Sequence, residues 1–151
     1  DKNCRRRKIM SISVEKAVIE NIKQAFETFM NNKNVYFENI VPSMLPERLP
    51  AVYSIFDKNT HESLYVGRTK DLRRRLYTNH LMGNKSTARL KKYIVEDDLK
   101  FPKITTYEEA KQWIKRNCYF KYMEVKDSKD RGHIEGLLGF VLNSYYIEDE
   151  H

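Results

Sequence analysis

The chain has 151 residues, 40% hydrophobic and 32% charged, enough for one domain with a proper core and too few for two well-stocked ones. Twenty-eight Lys and Arg against 21 Asp and Glu leave a formal charge of +7, which favours polyanionic partners through counterion release. The apolar run at residues 137–142 is far below membrane-spanning length, and Cys4 and Cys118 have no metal-ligand spacing. No membrane association is therefore expected, and a reducing, cytoplasmic setting with free thiols fits best.

Residues 1–8 carry Lys2, Arg5, Arg6, Arg7 and Lys8 against Asp1 and read as a solvated basic arm. A disordered tail is the first reading, a phosphate-gripping arm or a linker remnant the others. Ser13 then caps a predicted helix to about Met30. Val14, Val18, Ile22, Ala25, Phe26 and Phe29 fall on one side of it, a stripe read as core packing, with a homodimer through this helix as the alternative. Residues 31–34 end that helix, 35–41 are short and extended or irregular, and Pro42, Pro46 and Pro50 mark a loop with no regular element. Residues 1–50 form an N-terminal extension, and a separate domain runs over 51–151.

That domain opens with strands at about 51–56 and 63–67 joined by a turn-rich connection. A helix over 70–82 ends at Gly83-Asn84, and Ser86 or Thr87 caps the next one. Thr106, three residues before Glu109, has the spacing of a capping box. Alternation over 118–125 gives a third strand, and Asp127 or Ser128 caps a last helix to about Tyr145 with Ile134, Leu137, Leu138, Val141 and Leu142 as its buried stripe. The expected fold is α/β (α+β): a small, mainly antiparallel three-stranded sheet flanked by helices.

The chemistry concentrates in two stretches. One is Val52-Tyr53-Ser54; the other is Tyr65-Val66-Gly67, followed at once by Arg68, Lys70, Asp71, Leu72, Arg73, Arg74 and Arg75. A lone strand tyrosine means little in a chain with ten of them, but two on paired strands before a basic helix form a compact phosphodiester-handling unit. Gly67 reads as a backbone turn that lets a phosphate approach. Arg68, Lys70, Arg73 and Arg74 read as contacts to neighbouring phosphates or as a solvated basic face. Lys91 and Lys92 on the next helix offer further substrate contacts, as do Lys111, Lys115 and Arg116 on the one after. Glu135 sits at the edge of an apolar run, flanked by Gly136 and Gly139, whose helix-weakening cost suggests close approach of something here. The plainer reading pairs Glu135 with Arg131.

Together these segments resemble the GIY-YIG nuclease superfamily over roughly residues 51–146, with 84–117 longer than a minimal core. The resemblance implies a divalent-metal-dependent endonuclease that cuts DNA. Tyr53 would activate water with help from Tyr65, Arg75 would stabilise the equatorial phosphate oxygens, and Glu135 would hold Mg²⁺ (or Mn²⁺) beside the departing oxygen. The family usually places a histidine, sometimes a tyrosine, four residues after the arginine, where this chain has Asn79, with His80 one further on. In a regular helix Asn79 lies roughly 40° from Arg75 and His80 roughly 140°, so Asn79 faces the site unless a local bulge reverses the two. Asn143 is a weakly spaced match to an asparagine the family often carries after its last helix. Two other readings remain: a nucleic-acid-binding module with the same fold and no activity, and a protein-interaction domain assembled through the N-terminal helix.

Overall fold

The computed structural model describes residues 2–84 and 87–148, with side chains from residue 12 onward. Ser86, one of the two expected helix caps, and the side chains of the basic arm lie outside the described residues. The chain divides into two units, Asp1–Asn31 and Asn32–His151. The first is helix α1, Lys2–Met30. It begins well before Ser13, so the backbone of the basic arm is helical from residue 2 rather than a tail. Arg and Lys are good helix formers, and no Gly or Pro interrupts residues 2–30. Val14, Val18 and Ile22 stand exposed, so the core-packing reading fails for this part of the stripe. Nothing in the structure supports pairing of that face with a second copy.

In the second unit, four strands form one antiparallel sheet of order β1-β4-β2-β3: β1 Val35–Tyr36, β2 Ala51–Asp57, β3 Ser63–Thr69 and β4 Cys118–Glu124. The fourth strand beyond expectation is β1, two residues that pair Val35 with Phe120 and Tyr36 with Tyr119. So short a strand leaves no alternating pattern to read. A 3₁₀ turn, Pro42–Met44, occupies part of the Pro-marked loop.

The hairpin of β2 and β3 sets Tyr53 opposite Gly67 and Val52 opposite Arg68. Successive strand residues point to opposite faces, so the sheet has two differently dressed sides. On one, Ala51, Tyr53 and Ile55 join Leu72, Leu76, Leu81, Leu90, Ile94, Ala110 and Ile114 in the main core. These come from the segment after β3 and from helices α2, Arg89–Glu96, and α3, Tyr107–Asn117. On the other, helix α4, Ser128–Val141, packs on β3 and β2. Burial of α4 is lighter than its apolar stripe suggested: Leu138 is fully buried, while Val141 and the neighbouring Phe140 are exposed. After α4 the chain turns at Asn143, whose left-handed backbone closes the helix (φ 48°). It then lies along the start of β3, with the amides of Tyr145 and Tyr146 donating to the carbonyls of Ser63 and Leu64, both at 2.9 Å. Among the described residues no helix is long and apolar enough to cross a membrane, and Cys118 is a buried free thiol.

The expected caps of α3 and α4 form, while Ser13 lies inside α1 and caps nothing. Thr106 Oγ1 accepts from the Glu109 amide at 3.1 Å and donates to Glu109 Oε1 at 3.0 Å, and Asp127 accepts from the Asp130 amide at 2.9 Å. The second expected cap, Thr87, does not serve: α2 begins after Ala88 with no side-chain cap. Thr106→Ala is expected to lower stability by about 1 kcal/mol without altering the tyrosine-bearing hairpin, as read from urea unfolding and the near-ultraviolet spectrum.

Candidate active site

Tyr53 is completely buried in the middle of β2. Its ring crosses the face of Gly67, where a β-carbon would overlap the phenol oxygen. Gly67 therefore does not form the expected turn. It lies within β3 rather than in a turn, its φ is ordinary, and its missing side chain makes room for Tyr53. Tyr65, two residues earlier on the same face, has its ring centroid 6.3 Å from that of Tyr53.

Arg75 and His80 converge on this pair. Arg75 Nε donates to the Tyr53 hydroxyl at 3.2 Å, and His80 Nε2 lies 2.7 Å from the same Tyr53 oxygen. The phenol oxygen accepts from Arg75, so its own proton is free to point at His80. That assigns the imidazole as acceptor at Nε2, with its proton on Nδ1. Nδ1 is buried and finds no partner among the described residues.

Residues five apart meet here because the segment Arg74–Leu81 is a π-helix, with the Met82 amide bonded to the Tyr77 carbonyl at 3.0 Å. The i→i+5 turn is wider than a regular one, so it carries His80 onto the face of Arg75. The regular-helix geometry, which pointed Asn79 at the site, does not apply. Asn79 is displaced from the Tyr53 hydroxyl, and its carbonyl accepts from the Gly83 amide at 3.0 Å. A sequence signal for the wide turn exists. Leu72, Leu76 and Leu81 are all buried, so the apolar stripe steps by four and then by five, as does the polar pair.

On the other side of β3, Glu135 projects from α4. Its partner is Arg68, with Nε to Oε2 at 3.7 Å, and not Arg131, whose guanidinium is buried and donates to the carbonyls of Val125 and Lys126. Gly132 leaves room for this: a β-carbon there would overlap the Arg68 guanidinium. A cleft of about 880 Å³ runs over the β3 edge, and Tyr65, Gly67, Arg68, Arg75, Arg89 and Glu135 line it. Gly136 and Gly139 also border it and face open space, so neither is demanded by a close neighbour. Arg89 carried no sequence signal. It comes to the cleft because α2 starts beside it, where it pairs with Glu148. Tyr53 does not line the cleft; Arg75 bonds its hydroxyl from the cleft side.

The remaining basic residues divide by direction. Arg68 and Lys70 are exposed beside the cleft strand, Arg74 is exposed, and Lys92 is half-buried. Arg73 is spent on the loop before β2, with Nε donating to the Leu45 carbonyl at 2.8 Å and Nη1 to Glu47 at 2.5 Å. Lys91 is buried and donates to the carbonyls of Leu81 and Gly83, at 2.9 and 2.6 Å. Arg73 thus spends two of its five donors on that loop, and Lys91 two of its three on the carbonyls that follow the π-helix.

Burial dominates the electrostatics. It pushes the Tyr53 phenol well above the ordinary range, with Tyr65 adding to the rise and Arg75 opposing it. Burial, reinforced by Arg75, Arg89 and Lys91, holds His80 down at about 3. Glu135 is raised by burial against the pull of Arg68, Arg75 and Arg89. Among the described residues no group of three or more His, Cys, Asp or Glu side chains is placed to hold a metal ion. A single half-desolvated carboxylate at an open cleft fits an ion that keeps most of its water, as Mg²⁺ does, and does not fit a site built of protein ligands alone.

His80 is neutral in the folded chain and has an ordinary pKa near 6.5 when unfolded. Below about pH 6.5 the unfolded chain therefore binds a proton that the folded one refuses until about pH 3. Stability should fall through this window by up to about 1.4 kcal/mol per pH unit. Urea titrations between those limits should show His80→Gln losing one proton's worth of that slope; parallel slopes would mean that His80 is accessible to solvent protons.

Residues 49–122 match the model of the GIY-YIG catalytic domain. No curated protein and no solved structure matches the chain. The matched stretch holds both tyrosine strands, the π-helix and most of β4, while α4 with Glu135 lies beyond it. Over that stretch the chain belongs to the GIY-YIG family of nuclease domains.

Proposed function

We propose that this domain is an endonuclease that hydrolyses phosphodiester bonds in DNA with a divalent cation, in a cytoplasmic setting. The observation that carries the reading is the Arg75 guanidinium, held at the cleft by the Tyr53 hydroxyl, which hands on to His80. A planar, permanently charged fork at this place suits the equatorial oxygens of a phosphodiester, whose charge grows in the transition state. Arg68 and Lys70 extend the positive wall along β3, in keeping with the net charge of +7.

In the free protein Arg75 covers the Tyr53 hydroxyl. Engagement of the guanidinium by a phosphate opens that oxygen to the cleft, where Tyr65 helps to seat the attacking water. As the water adds in line to phosphorus, its proton passes to the Tyr53 oxygen, and the phenol proton passes along the existing 2.7 Å bond to His80 Nε2. Both groups are neutral at rest, so negative charge building on the phosphorane is what favours an imidazolium beside it. Glu135, with Asn143 at the far wall, faces the leaving side. Glu135 would hold Mg²⁺ or Mn²⁺, which when bound supplies charge neutralisation for the departing oxygen.

Supercoiled plasmid incubated with the chain should be nicked in Mg²⁺ and left intact in EDTA. Arg75→Ala should slow nicking by roughly 10²–10³-fold, and Glu135→Ala should abolish the metal response. DNA that is retarded but never cut would make this a binding module, and no interaction even at low salt would leave a protein-interaction domain.

A further inference from the structure

Lys91 has no part in the scheme above, yet it is an ammonium buried beside the site at 3% exposure. Burying a charge costs several kcal/mol unless it is well compensated, so its partners matter. They are the Leu81 and Gly83 carbonyls, at the exit of the π-helix, where helical donors run out. Gly83 is held there too: its amide reaches the Asn79 carbonyl, and a β-carbon would overlap that oxygen and Thr87 Oγ1. A π-turn is rare and occurs mostly as a single turn inside a regular helix, frequently at functional sites. Without this one, Arg75 and His80 would point roughly 140° apart.

The geometry points to Lys91 as a positioning residue: its ammonium locks the wide turn and so keeps His80 on the Tyr53 hydroxyl. The lock acts through helix α2, which packs against the turn and is rooted in the main core by Leu90 and Ile94. The field of Lys91 also works against protonation of His80. The inference deepens the nuclease reading and rests on it for its kinetic readout.

The test uses the full chain. Lys91→Met should keep the fold by circular dichroism and keep DNA affinity, yet lower the turnover of nicking by roughly 10²-fold through misplacement of His80. The His80 ring nitrogen resonances of the metal-free protein should shift in the same variant. Deleting Thr78, an exposed residue of the wide turn, shortens the Arg75-to-His80 step to four, which a regular helix accommodates. In the Lys91→Met background this deletion should restore most of the lost turnover, a rescue that general destabilisation would not show. Unchanged turnover and resonances in Lys91→Met would overturn the assignment, as would loss of affinity alone or failure of the rescue. If Lys91→Met does not fold, the Thr78 deletion with Lys91 intact decides: a folded, active chain supports the lock, and an inactive or unfolded one overturns it. A wild-type chain that never cuts DNA sinks the nuclease reading, and the nitrogen resonances then judge Lys91 by themselves.

Discussion

Two pairs of residues five apart, Leu76 with Leu81 and Arg75 with His80, must each face one way, and a regular helix satisfies neither. The first pair is fixed by the hydrophobic core, where both leucines are buried. The second is fixed by one phenol oxygen, to which both polar side chains reach. A single widened turn meets both demands at once. The apolar stripe thus supplies the free energy that holds a poorer helical geometry, and the site inherits its register from the core.

Around that register the hydroxyl of Tyr53 is enclosed from every side. Gly67 gives it space, Arg75 donates to it and His80 stands ready to accept from it. In so dry a place a hydrogen bond counts for more than in water, and an ionised group for less. That is why phenol and imidazole are both held neutral, and why the guanidinium is the one fixed charge of the trio.

The cleft beyond it is an electrostatic counterweight. Arg68, Arg75 and Arg89 line one space with two carboxylates, the half-buried Glu135 beside Arg68 and the exposed Glu148 beside Arg89. Glu135 is raised by desolvation despite three guanidinium groups acting on it, the nearest of them Arg68 at 3.7 Å. The C-terminal stretch completes the enclosure, stacking Tyr146 on Tyr93 at 5.3 Å and bonding Tyr146 to Asp97 at 2.7 Å.

Much of this was legible in the residues alone. Alternation and punctuation placed the two tyrosine strands and their hairpin, and capping chemistry placed α3 and α4, because those signals are local. The sequence also held the four-then-five step of Leu72, Leu76 and Leu81, but hydropathy alone cannot tell a widened turn from the fraying end of a regular one. Only the tertiary structure settled that His80 and not Asn79 meets Tyr53, that Gly67 lies within a strand and makes room for a ring, that Lys91 and Arg73 turn inward, and that Arg89 reaches the cleft. Each of these depends on which distant group fills the space beside a residue, and chain-local periodicity carries no information about that.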